Sequence, residues 1–324
     1  MKNYNFGIIG LGNIARKFAD TLNKLGLNLF GVASRNIDNA KQFANRYNSK
    51  FAYGDYEELL KNKDIDIVYI ATPHGLHYEH LKLCLKYKKH IICEKAFTLN
   101  AKQAEDIFSL ALENNCLVME AMWTRFLPSL EKIKEIIESQ KYGKINKIEA
   151  EFCFYGNQDD EFRLKNNILG GGALLDVGIY PVNLAHYLLG NPNEIKASGK
   201  IYKTNVDLSN HIYFKYDNAI AELKSSFIEE GKRFSTIYLE KAIIKMDAFW
   251  KCEHFEIEEL DNHTTISYDY PFDINGFEYQ IKSFISTLNQ GLINNPIMSP
   301  KISIEILQIL DEIRKQIGVF YLNE

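Results

Sequence analysis

The chain has 324 residues, of which 46% are hydrophobic and 25% charged, and its net charge is -4. That length exceeds what a single compact core usually serves, so two domains are expected. The charge provides no basic field for nucleic acid or anionic lipid, and no apolar run reaches the ~20 residues that span a bilayer.

Taken in order, short apolar runs at 4–9, 27–33, 65–71, 90–93 and 117–119 alternate with helical spacing at 15–25, 37–47, 76–87 and 101–114. Asn36 and Asn100 are placed to cap two of these helices, and Asp55 a shorter one. Alternation of this kind implies right-handed βαβ crossovers and a parallel sheet. After Glu120 the pattern changes. Pro128 opens a helix to 139, a long strand follows at 145–155, and a triple glycine precedes a helix over 173–189. Strand-like stretches then succeed one another at 194–202, 211–216, 219–227, 235–239, 242–247 and 255–260, with hairpin-length links. Helices at 274–288 and 301–317 finish the chain. The expected fold is therefore an α/β doubly wound parallel sheet over 1–122, then an α+β domain with a large, mostly antiparallel sheet over 123–324. The acidic run at 157–161 reads as a solvated loop.

The first crossover carries Gly10-x-Gly12-x-x-Ala15, a dinucleotide fingerprint with alanine at the third small position. Gly10 permits the tight turn, Gly12 lets the backbone approach a pyrophosphate, and Ala15 keeps the helix close to its strand. Asn13 and Ile14 stand between Gly12 and Ala15 in that motif. At the end of the second strand, where an NAD enzyme normally places a carboxylate, the chain has Ser34-Arg35. A hydroxyl and a guanidinium suit a 2′-phosphate, which favours NADP. The alternative is NAD, with Arg35 stacked on adenine and Asp38 on the ribose. Ala71-Thr72-Pro73-His74-Gly75-Leu76-His77 forms the next loop at the ligand crevice, where Thr72 offers a hydroxyl. His77 reads as a helix-start residue without a proton role. Lys95 ends the apolar run His90-Ile91-Ile92-Cys93-Glu94, where open α/β sheets bind their ligands.

These motifs, with Glu94-Lys95, Glu120-Ala121-Met122-Trp123-Thr124-Arg125-Phe126-Leu127-Pro128 and Gly171-Gly172-Ala173-Leu174-Leu175-Asp176-Val177-Gly178-Ile179-Tyr180, resemble the Gfo/Idh/MocA oxidoreductases. The branch containing dihydrodiol dehydrogenase and NADP-dependent xylose 1-dehydrogenase is the nearest in pattern. The resemblance implies a Rossmann domain followed by a substrate and oligomerisation domain. It also implies hydride exchange between a nicotinamide and a hydroxyl-bearing carbon of a cyclic polyol, sugar or trans-dihydrodiol. On it, Lys95 polarises the reacting oxygen, Tyr180 serves as general acid/base activated by Lys95, and Asp176 orients. The cofactor set is Gly10, Gly12, Asn13, Ile14, Ser34, Arg35, Thr72, Pro73, His77, Glu94 and Lys95. The substrate set is Trp123, Arg125, Phe154, Arg163, Asp176 and Tyr180. Trp123 is equally readable as core, and Arg125 and Arg163 as partners of phosphate, hydroxyl or carboxylate. Family members usually have proline after the lysine. Here Ala96 follows, and a cis bond without proline costs ~2.5–4 kcal/mol, which leaves a trans bond open.

Five cysteines without a CxxC pair predict reduced thiols, no metal and no disulfide framework, and a strand starting at Tyr4 leaves no room for a signal peptide. A cytoplasmic homodimer or homotetramer, joined through the carboxyl-terminal sheet, is the expectation. The competing readings are an NAD-dependent inositol or sugar-derivative dehydrogenase and a non-catalytic NADP- or sugar-sensing regulator.

Overall fold

A computed structural model describes residues 3–157, 159 and 162–324. Gln158, Asp160 and Glu161 of the expected acidic loop lie outside the described residues, as do Met1 and Lys2. The chain forms two compact units: Met1–Trp123 with Asp273–Ile304, and Thr124–Phe272 with Glu305–Glu324. Where sequence spacing suggested one division, contacts make three, because the segment 273–304 packs with the first unit.

The first unit is built on β1 (Asn5–Ile9), α1 (Asn13–Lys24), β2 (Asn28–Ala33), α2 (Ile37–Tyr47), β3 (Phe51–Tyr53), α3 (Tyr56–Lys61), β4 (Ile67–Ile70), α4 (His77–Lys86), β5 (His90–Glu94), α5 (Ala101–Glu113) and β6 (Val118–Ala121). All strand pairs are parallel, in the order β3-β2-β1-β4-β5-β6. The order reverses between β1 and β4, and the carboxyl ends of those strands flank the ligand crevice of such sheets. β4 is buried along its whole length, as a sheet covered on both faces requires. The caps are as the sequence suggests. Asn36 accepts from the amides of Asp38 and Asn39, Asp55 from Glu57 and Glu58, and Asn100 from Gln103. β3 was not expected: three residues are too few for a visible period, and pairing with β2 alone makes it a strand. From the later segment, α8 (Phe277–Asn289) packs on α1, with Thr21 donating to the Asn275 side chain at 2.9 Å.

The second unit holds α6 (Pro128–Glu138), β7 (Ile145–Cys153), α7 (Ile179–Leu189) and strands β8 (Glu194–Ile201), β9 (Asp207–Lys215), β10 (Ile220–Ser226), β11 (Phe234–Leu239), β12 (Ala242–Asp247), β13 (His254–Glu259) and β14 (Thr265–Asp269). The eight strands run β14-β13-β12-β11-β7-β10-β9-β8. β7 and β10 pair in parallel and the other neighbours are antiparallel. α7 packs against β7 and β10. The division between units falls within α9 (Pro300–Ile317).

Two departures from the sequence pattern bear on function. The helix expected over 173–189 begins as a π-helical turn, Leu174–Gly178, in which the Ile179 amide reaches back to the Leu174 carbonyl. Pro181 has no N–H, so it cannot make the usual bond to the carbonyl of Val177, and the wider turn sits just before it. β9 also starts four residues ahead of the expected 211, because Asp207, Ser209 and Asn210 are buried but polar and leave no hydrophobic signal. No helix among the described residues is long and apolar enough to cross a membrane.

Candidate active site

The turn between β1 and α1 separates its two glycines by role. Gly10 has φ +83°, and a Cβ there would stand 2.8 Å from the Ala71 carbonyl group and the Thr72 methyl, so the fold itself requires glycine. Gly12 has ordinary backbone angles, and nothing of the protein lies within 4 Å of where its Cβ would be. Packing therefore does not demand glycine at 12. The open space, together with an α1 amino end that no side chain caps, fits a diphosphate approaching the backbone. Asn13 beside it is exposed, Ile14 half-buried and Ala15 fully buried.

At the end of β2, Ser34 accepts a hydrogen bond from the Asn36 amide, and Arg35 is exposed with no carboxylate partner among the described residues. Two residues that the sequence did not single out stand with it. Tyr56 and His80 meet edge to face with ring centroids 5.0 Å apart, and the Arg35 charge acts on both. His80 Nδ1 is 2.9 Å from Thr72 Oγ1. Burial, then the neighbouring His77 and Arg35, push His80 down to about 4, so it is neutral at physiological pH. Neither residue belongs to a spacing motif, so only the tertiary structure reveals the group.

The turn after β5 is fixed from several sides. The Lys95–Ala96 bond is cis, where a trans bond had been left open. His77 is fully buried, its ring between the Thr72 carbonyl (2.7 Å) and those of Ala96 (3.0 Å) and Phe97 (3.2 Å). Burial holds it below the ordinary imidazole value, and it ties the Thr72-Pro73 loop to the Lys95 turn rather than offering a ring to solvent. Glu120, on β6, accepts from the Phe97 amide at 3.1 Å. Glu94 is buried beside Lys95 and receives the Tyr69 hydroxyl; burial raises its carboxyl, and Tyr69 and Lys95 oppose that. Lys95 itself is half-buried. Trp123 stacks on Phe277 at 5.1 Å and is 9% exposed, which makes it core of this unit.

In the second unit the π turn carries Asp176, and α7 carries Tyr180 one residue into its start. Arg163 makes a 2.8 Å ion pair with Asp176, so these two candidates are brought together. Tyr180 is 8% exposed and stacks on Phe152 at 5.7 Å, with Trp250 against the same ring at 4.2 Å. Phe154 packs on a cluster of Leu164, Ala173, Leu208 and Phe227. Arg125 is not an exposed substrate arm. It is buried and donates to Asn183 and to His186 Nδ1 on α7, and His186 Nε2 meets Glu305 at 3.2 Å. Since arginine only donates, Nδ1 accepts and Nε2 carries the proton toward Glu305. Arg125, Asn183, His186 and Glu305 thus lock α7 to its neighbours.

Comparison with known proteins gives consistent matches. Residues 4–122 match the oxidoreductase family with NAD-binding Rossmann fold, and residues 130–245 match the GFO/IDH/MocA carboxyl-terminal domain. The chain is 30% identical to scyllo-inositol 2-dehydrogenase (NADP(+)) IolU of Bacillus subtilis, over 98% of both chains. It is 32% identical to trans-1,2-dihydrobenzene-1,2-diol dehydrogenase of Xenopus laevis, again over 98% of each. Among solved structures, KijD10, a 3-ketoreductase from Actinomadura kijaniata in complex with NADP and TDP-benzene, superposes with a TM-score of 0.87 at 24% identity, covering 98% of both chains. Fingerprint, sheet order, lysine turn and relatives agree: the chain belongs to the Gfo/Idh/MocA family of nicotinamide-binding oxidoreductases, enzymes acting on CH–OH groups.

Proposed function

We propose that the chain is an NADP-dependent dehydrogenase or reductase acting on a ring-borne hydroxyl of a cyclic polyol, a sugar or a vicinal trans-dihydrodiol. The carrying observation is the end of β2. An exposed Arg35 without a carboxylate partner among the described residues, beside Ser34, suits a 2′-phosphate, and the end of β2 lacks the acid that holds ribose hydroxyls in NAD enzymes. The names of the similar enzymes, an NADP-linked inositol dehydrogenase and a dihydrodiol dehydrogenase, support the substrate half.

A bound nicotinamide supplies hydride exchange, and the chain must handle the proton and the orientation. Gly12 and the α1 amino end hold the diphosphate, and Ser34 and Arg35 the adenosine phosphate. Lys95 polarises the reacting oxygen. Tyr180 exchanges the proton, a role its phenol performs near neutral pH only when a cation stabilises the phenolate. Asp176, paired with Arg163, orients substrate hydroxyls.

The test is steady-state turnover with NADP and NAD across pentoses, hexoses, inositols and trans-dihydrodiols, for wild type, Tyr180→Phe and Arg35→Ala. The expected result is NADP-preferring turnover, kcat lowered about 10²–10⁴-fold in Tyr180→Phe, and a rise of KM for NADPH but not NADH in Arg35→Ala. Equal KM effects on both cofactors sink the NADP assignment; undiminished kcat in Tyr180→Phe sinks its role. Clear NADPH binding without turnover of any substrate favours the sensor reading. We assign the enzyme to the cytoplasm, in keeping with five buried free thiols, and to a homo-oligomer through its eight-stranded sheet.

A further inference from the structure

The π turn that presents Asp176 is held at both ends by one chain of polar side chains on the sheet beneath it. At its start, Asp207 is completely buried, and its Oδ2 accepts from the Leu174 amide at 2.7 Å and from Asn210 Nδ2 at 2.9 Å. Its Oδ1 occupies the space a Cβ on Gly172 would need, 2.3 Å away, and Gly172 has φ +113°. The glycine is thus dictated twice, by backbone and by the carboxylate. From Asp207 the chain continues: Asn210 Oδ1 accepts from Ser225 Oγ at 2.9 Å. Ser225 lies at the other end of the turn, its Oγ 2.6 Å from where a Cβ on Gly178 would be. Asp207, Asn210 and Ser225 therefore span the turn from Gly172 to Gly178, and both Asp176 and the start of α7 hang from what they grip. From the far side, the buried Tyr321 hydroxyl donates to the Gly171 carbonyl at 2.6 Å.

A wholly buried carboxylate is an expensive way to close a turn, because one oxygen, Oδ1, has no hydrogen-bond donor among the described residues. Such costs concentrate where geometry must be exact for chemistry.

We propose that Asp207, acting through Asn210 and Ser225, is a positioning residue for the reaction: it sets the π turn so that Asp176 and Tyr180 are presented in one fixed orientation. The inference rests on the proposed roles of Asp176 and Tyr180, and it adds no group that touches substrate.

The experiment compares wild type with Asp207→Asn, Ser225→Ala, Gly178→Ala and the Gly178→Ala/Ser225→Ala pair. In Asp207→Asn, or in Ser225→Ala if the first does not fold, kcat is expected to fall about tenfold to a hundredfold while KM for NADPH stays unchanged. Gly178→Ala should lose kcat by collision with Ser225, and removing that hydroxyl in the pair should restore part of it. A purely structural contact would lower the melting temperature without this split or this rescue. Hydrogen exchange provides a readout independent of substrate: amides over 172–180 should exchange at least about tenfold faster in Asp207→Asn, with the β1–α1 turn unchanged. Unaltered exchange there, or kcat that survives in both Asp207→Asn and Ser225→Ala, overturns the proposal. If wild type turns over no substrate, the proposed reaction fails on its own, and exchange still decides whether Asp207 holds the turn.

Discussion

Gly10 and Gly12 are two residues apart and chemically identical, yet the structure assigns them opposite duties. Alanine at 10 must take a positive φ and meet the Ala71 backbone, so Gly10→Ala should lose at least about 2 kcal/mol of stability. Alanine at 12 meets no protein atom, so Gly12→Ala should unfold within about 0.5 kcal/mol of wild type. Its cost should fall on the ligand instead, as a roughly tenfold or greater rise in the Kd for NADPH, since the proposed diphosphate site takes that space. Thermal unfolding and a fluorescence titration read the two effects; unchanged NADPH affinity in Gly12→Ala would mean the backbone is not approached there. The same contrast runs through the histidines. His77, at a helix start in a ligand loop, is wholly enclosed by three backbone carbonyls, while His80, which has no motif around it, stands beside Arg35.

At the scale of elements, α7 is the piece on which most depends. It is buried almost throughout, and the sequence shows it only as apolar. Its rigidity comes from Arg125, Asn183 and His186, with Glu305 completing the row. Burial and the Arg125 guanidinium lower His186 from 6.5 to about 4, against the opposing pull of Glu305. A histidine lowered on folding is neutral in the folded state and takes up its proton more readily when unfolded. Its contribution is therefore complete above pH 6.5 and is lost as pH falls from 6.5 toward 4, by up to about 3 kcal/mol. Asp207 works in the reverse direction, because burial raises it from 3.8 to about 6 and ionisation then disfavours the folded state as pH rises across that span. His186→Gln isolates the first effect, since its amide can still accept from Arg125 and donate to Glu305 while Asp207 is common to both proteins. The stability advantage of wild type over His186→Gln, from urea unfolding, should shrink on going from pH 7.5 to about 4.5. A constant difference would show that His186 does not titrate in this way.

For the whole molecule, the proposed association surface is the face of the eight-stranded sheet that carries Glu149, Glu151 and Lys224. It is concave around Glu149, Glu151, His211, Tyr213, Lys224 and Phe234, and Lys147 bridges Glu149 and Glu222 at 2.7 and 2.6 Å. Tyr213 and Phe234 supply the aromatic residues that interfaces are enriched in, and the proposed association with a second copy centres on them. Light scattering should return a multiple of the chain mass, and Phe234→Asp should move the population toward monomer. A monomeric wild type at micromolar concentration removes the assignment.

What sequence alone determined follows from short-range physics. The fingerprint glycines, the asparagine and aspartate caps and the alternation of strand and helix are set by backbone sterics and local hydrogen bonds, so they are legible without coordinates. That was enough for the Rossmann sheet, the mostly antiparallel second sheet and the family. Only tertiary structure decided the rest. β3 and β14 are edge strands whose partners, not their own periods, make them strands. Residues 273–304 return to the first unit through packing on α1, which no spacing announces. Arg125 and Arg163 are the same residue type, and one is buried against an imidazole while the other pairs with Asp176. Asp207 carries no motif because, apart from Asn210 three residues on, the Leu174 amide it holds is 33 residues distant in sequence. A charged side chain is read from its neighbours, and those neighbours are chosen by the fold.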